Sequence, residues 1–125
     1  MVVSIRSMLA ASAMAAAILA PSGAFAARAY IGTYTPNGSG ARSENHGEGI
    51  YLVDINDETG APSHPRLVAK TPSPSWITFS KDHRFLYAAN EIATYGPQKT
   101  GSVSAYAVDQ ASGKIKPLNV VSSGL

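Results

Sequence analysis

Two stretches, VDINDETG at residues 53–60 and YAVDQASG at 106–113, carry one pattern twice. Each closes a β-branched and aromatic run, 49–56 (GIYLVDIN) or 102–108 (SVSAYAV), with a short polar turn that starts at Asn or Asp and finishes at Gly60 or Gly113. A hydrophobic run ended by such a turn reads as a strand entering a tight connection. Laying Gly60 on Gly113 shifts the chain by 53 residues and also brings Val68 onto Val121. Tyr30-Ile31 falls on Leu86-Tyr87 at a shift of 56, and the unequal polar connections at 35–48 and 91–100 absorb the difference.

Outward from this repeat the chain reads as short β-segments. Strands are expected over 30–34, 49–56 and 66–70, and again over 76–80, 85–90, 102–108 and 118–122. The polar run Lys81-Asp82-His83-Arg84 turns the chain between the fourth and fifth. No useful window beyond the first 26 residues has helical periodicity. A repeat of about 50 residues made of four short strands has the period of a β-propeller blade. The expected class is all-β, with strands two, three and four of one blade followed by four antiparallel strands of the next. A propeller closes with about four to eight blades, so two blades are expected to be part of a larger ring, whose last blade the chain's first strand can complete. A sandwich or barrel of about seven strands also suits the length but leaves the repeat's absent first strand unexplained.

Residues 1–26 read as an export signal. Arg6 precedes an uncharged run from Met8 to Ala20, then come Pro21, Gly23 and the small-x-small triplet Ala24-Phe25-Ala26, with cleavage expected after Ala26. The alternative, a retained membrane helix, is short and weakly apolar, and Pro21 and Gly23 would end it early. The domain division is therefore 1–26 signal peptide and 27–125 partial propeller, in an exported protein, periplasmic or secreted.

Arg6 accounts for one charge of the formal +2, so the remaining residues are almost balanced. No basic patch argues for a nucleic-acid partner. The sequence has no cysteine, which excludes thiol catalysis, cysteine metal sites and disulfide support. Strand edges left without partners are expected to favour self-association if the region is expressed as a fragment.

Antiparallel blade geometry groups the loops. The segments 72–76, 90–91 and 34–37 are expected at one end, and the turns at 57–60, 81–84 and 109–113 at the other. At the first end Glu91 is the ionisable group of most interest. It follows the strand ending in Asn90, has Tyr95 in its connection, and as a carboxylate can orient water or move a proton; satisfying a neighbouring turn is its bland role. His46 lies in a glycine-rich connection at that end, His64 between Ser63 and Pro65, and His83 in a hairpin turn where Gly or Asn adopts left-handed backbone more easily. These histidines lack metal-ligand spacing. No nucleophile elbow surrounds Ser102, and no glycine-rich loop precedes a helix. Trp76, Phe79, Tyr87 and Tyr106 are expected in core or inter-blade packing. Asn37-Gly38-Ser39 has the form of a glycosylation acceptor.

The ordered series YIGTYT (30–35), GIYLVDINDETG (49–60), SPSWITFSKDHRFLYAANE (73–91) and GSVSAYAVDQASGKIKPL (101–118) resembles the opening of the 6-phosphogluconolactonase family of seven-bladed propellers, itself similar to carboxymuconate cyclases. The resemblance covers nearly all of residues 30–125. It implies hydrolysis of a sugar lactone or phosphosugar lactone, without a cofactor, at one end of the central channel. Asn90 and Glu91 match the family's Asn-Glu strand ending and are carried over as substrate-site candidates. Catalytic groups are not assigned, because the family draws its histidine, glutamate and arginine largely from later blades. His83 departs from the family's usual Gly after Asp. Export favours an unphosphorylated lactone, since phosphorylated sugar lactones are ordinarily cytoplasmic metabolites. The alternative function is a non-enzymatic binding scaffold, because fold alone fixes neither.

Overall fold

The alternating runs form seven strands: β1 (Arg28–Gly32), β2 (Gly49–Asp54), β3 (Arg66–Lys70), β4 (Pro74–Phe79), β5 (Phe85–Asn90), β6 (Ser102–Val108) and β7 (Ile115–Ser122). The computed structural model describes residues 27–36, 38, 42 and 44–124. The expected signal over 1–26, and Asn37 and Ser39 of the acceptor-like triplet, lie outside them. Strands β1-β2-β3 make one antiparallel sheet and β4-β5-β6-β7 a second. This is the expected division into three strands and four; the described residues form two sheets and no closed ring.

The repeated turns are built alike. Asn56 Oδ1 accepts from the amides of Glu58 and Thr59, and Asp109 Oδ1 from those of Ala111 and Ser112. Gly60 and Gly113 then donate back to the carbonyls of Asn56 and Asp109 with left-handed φ of 70° and 75°. The side chain at the turn's start supplies the local acceptor, and glycine supplies the positive φ at little steric cost.

Four strands differ in their limits from the sequence-based expectation: β2 stops at Asp54 rather than Asn56, β4 spans Pro74–Phe79 rather than 76–80, and β1 and β7 differ as well. β1 begins at Arg28 and stops at Gly32, because Tyr34 and Thr35 leave the ladder to bond across to Glu91 and Ser73. β7 begins at Ile115 rather than 118, since the preceding turn closes at once through Asp109 N–H to the Lys114 carbonyl. Pro117 is tolerated because β7 is an edge strand, where a missing N–H need not break the ladder.

Strand alternation gives the second sheet an inner face, from which Leu86, Ala88 and Tyr106 pack with Ile115 against Ile50 of the first sheet. β1 lies against β4 and β3 against β7, so the sheets stack with corresponding edges together. Phe79 meets Tyr30 edge-on across this seam, with ring centroids 5.6 Å apart. Tyr106 is buried as expected, whereas Trp76 is 72% exposed and Tyr87 is also exposed. The register explains the difference: Trp76 pairs with Ala89, and Thr78 with Tyr87, on the opposite face from half-buried Ile77 and its buried partner Ala88.

Candidate functional site

The end of the seam where β1 leaves and β4 begins is held by polar groups between the sheets. Thr35 N–H donates to Ser73 Oγ at 3.1 Å, and Ser73 N–H donates to Thr35 Oγ1 at 3.2 Å. Both residues are buried, and Ser73 holds a φ of 38°. The backbones approach so closely that a Cβ on Gly32 would overlap the Pro74 carbonyl oxygen, and one on Gly38 the Ser73 Oγ. Pro72 and Pro74 bracket Ser73 and restrict its conformational choices. A sequence signal for this clasp existed in that Pro-Ser-Pro triplet, but its partner Thr35 lies 38 residues away.

Asn90, at the end of β5, is 3% exposed. Its amide donates to Ser102 Oγ at 3.0 Å and Ser104 Oγ at 2.7 Å, while its Oδ1 accepts from the Thr71 hydroxyl at 3.1 Å. Thr71 follows β3 of the first sheet, so this network ties the two sheets together. Its polar groups are paired internally, which is what burial requires.

Glu91 emerges from this buried base and is exposed. Its amide donates to the Ser73 carbonyl at 2.8 Å, and its Oε2 accepts from the Tyr34 hydroxyl at 2.9 Å. That hydrogen bond, helped by the carboxylate's charge, raises the Tyr34 pKa and keeps the phenol a donor. Tyr34 is thus the partner across the seam. Tyr95, which shares Glu91's connection in sequence, instead donates to the Val120 carbonyl of β7. Beside the clasp lies an open depression of about 400 Å³ lined by Thr35, Pro36, Glu48, Lys70, Thr71 and Pro72. Lys70 Nζ and Glu48 Oε2 pair there at 2.9 Å, which raises the Lys70 pKa.

The grouping of loops is as expected. Segments around Tyr34, Ser73 and Glu91 meet at one end, while the turns after β4 and β6 meet at the other through Gln110 Nε2 and the Asp82 carbonyl, 3.2 Å apart. His46 and His64 are exposed, and His83 stands in the opposite turn with a φ of 57° against Phe79. Among the described residues no three His, Asp or Glu side chains gather as a metal-binding group.

Residues 28–125 match the sequence profile of the family described as "Lactonase, 7-bladed beta-propeller". The chain is 34% identical over 90 residues to a 6-phosphogluconolactonase of Bacillus subtilis, a match covering 72% of this chain and 22% of that protein. A 6-phosphogluconolactonase candidate of Bacteroides uniformis superposes with a TM-score of 0.60 at 31% identity, over 77% of this chain and 24% of its own. The periplasmic gluconolactonase of Pseudomonas aeruginosa gives a TM-score of 0.60 at 28% identity, over 75% of this chain and 24% of its own. The chain therefore spans less than a quarter of the length of these relatives. Profile, identity and stacked sheets agree that this chain belongs to the seven-bladed β-propeller lactonase family.

Proposed function

We propose that the protein is an exported hydrolase that opens a sugar lactone by attack of water, and that this chain supplies two adjacent blades and part of the substrate site. The observation that supports it best is the Glu91 carboxylate, held at the clasped end by the Ser73 carbonyl and the Tyr34 hydroxyl. In the reaction, water adds to the lactone carbonyl and loses a proton. The ring C–O bond then breaks, and the ring oxygen takes up a proton to give the hydroxy acid. Glu91 lines the substrate site, and Asn90 fixes the strand end from which it projects. No cofactor is needed for this sequence of steps.

The leader over 1–26 has the order of an export signal, and one solved relative is a periplasmic gluconolactonase. Both support a periplasmic or secreted enzyme acting on an unphosphorylated lactone. The test is hydrolysis, above the spontaneous rate, of gluconolactone and of its 6-phosphate by protein purified from its native source. Faster turnover of the neutral lactone is expected. A strong preference for the phosphate ester would overturn the neutral substrate, and no acceleration of either would leave the chain part of a binding scaffold.

A further inference from the structure

A separate groove lies away from the clasp, between the outer edges of the two sheets. β3 and β7 are edge strands of their own sheets and lie against each other there. The groove holds about 330 Å³, and the turn that leads into β7 closes one end of it. Its floor is apolar: Leu52 and Ile115 are buried, while Leu67 and Val68 stay partly exposed along β3. Leu52 stands opposite both Tyr30 and Arg66 in the ladder, so the three share the face from which Tyr30 meets Phe79 of the second sheet. A Cβ on Gly113 would come within 2.7 Å of Leu52 Cδ2, so the turn sits directly on the floor.

Each sheet adds one cation to this groove, Arg66 from β3 and Lys114 from the turn before β7. Arg66 Nη1 bonds Asp54 Oδ2 at 2.8 Å, which leaves most of the guanidinium's N–H donors for a ligand. Lys114 is exposed and makes no ion pair among the described residues. The nearby carboxylates are engaged elsewhere: Asp54 is shared between Arg28 and Arg66, and Asp109 Oδ1 accepts from the amides of its own turn. An apolar floor with a few charged groups at its margin is the make-up of a site for an amphiphilic anion. The floor takes an alkyl chain out of water, and the cations form charge-assisted hydrogen bonds with a carboxylate head. A sugar acid would lay its hydroxyls on the same floor without partners.

We propose that the groove between β3 and β7 binds a free medium-chain alkyl carboxylate, with its chain along Leu52, Val68 and Ile115 and its head at Arg66 and Lys114. The groove shares no residue with the clasp or with Glu91. Binding there does not depend on the lactone reading, and failure of either leaves the other standing.

The experiment is calorimetric titration of protein purified from its native source with hexanoate, octanoate, octanol and gluconate. Octanoate should bind about tenfold more tightly than hexanoate, the effect of two further buried methylenes. Octanol, which lacks the charge, should bind more weakly than octanoate, and gluconate should not bind. Lys114→Glu should weaken octanoate about tenfold and Lys114→Gln about threefold, while Lys99→Glu, the same charge change in the exposed connection after β5, should leave it unchanged. Equal losses in Lys114→Glu and Lys99→Glu would show a response to net charge alone and overturn the site. Equal affinities for hexanoate and octanoate would overturn the apolar floor's part in it. Retention on phosphatidylglycerol vesicles without octanoate binding would overturn it in favour of a membrane surface, and no octanoate binding by the wild-type protein would overturn it outright.

Discussion

Asp82 organises the turn between β4 and β5. Its Oδ1 accepts from the Ser80 hydroxyl at 2.7 Å and the Arg84 amide at 3.2 Å, and its Oδ2 from Arg84 Nε at 2.6 Å. The Ser80 hydroxyl first, and Arg84 next, hold its carboxyl well below the usual carboxylate range. A carboxyl depressed in the folded state binds fewer protons there than in the unfolded chain. Its contribution is thus complete above the unfolded value of about 4 and is lost as pH falls toward the folded one. The urea midpoint should drop between about pH 5 and pH 3, and Asp82→Asn should flatten that drop; an unchanged slope in the variant would show that other groups carry it. Beside it, His83 holds left-handed backbone where glycine meets least resistance. His83→Val should destabilise by about 1–2 kcal/mol and His83→Gly should not, measured by urea unfolding. That tension was legible from the residue type alone. The Tyr34–Glu91 bond was not, because its partners are 57 residues apart and nothing local in sequence couples them.

At the scale of elements, alternation decides what each side chain contributes. Leu86 on β5 is wholly buried, while Leu118 on β7 is exposed. Leu86→Ala should cost about 2–5 kcal/mol in urea unfolding, as buried leucines do, and Leu118→Ala about 0.5 kcal/mol or less. Equal costs would mean that the inner face has been misassigned. β3, β5 and β6 run over the residues their hydrophobic runs predict, because those runs are unbroken. The edge strands β1 and β7 were less legible. One ends where its residues cross to the other sheet, and the other contains Pro117, which an interior strand would not accommodate. Trp76 and Tyr87 show a further limit, since composition marks them as apolar but only the register tells which face they occupy.

Across the whole molecule the two sheets are fastened at both ends of the seam. At one, Arg28 donates to the carbonyls of Gln110 and Ala111, and the Tyr30 hydroxyl to that of Gly113 at 2.7 Å. At the other, Thr35 and Ser73 bond reciprocally while Asn90 draws Thr71 onto Ser104. The number of sheets and their strands followed from the repeat, whereas the fastening did not, because it depends on side chains meeting between separate sheets. Gly32 sits within this fastening, and Gly32→Ala should destabilise by about 1–3 kcal/mol, the usual cost of overpacking. The clasp is what presents Glu91, so the most direct measurement is amide hydrogen exchange of residues 27–125 by NMR. The hydrogen bonds of Thr35 to Ser73 Oγ and of Glu91 to the Ser73 carbonyl predict exchange at both amides slowed to a rate comparable with Leu86 in the core. Exchange of both at the rate of an open loop, while Leu86 stays protected, would contradict a clasped, preorganised site.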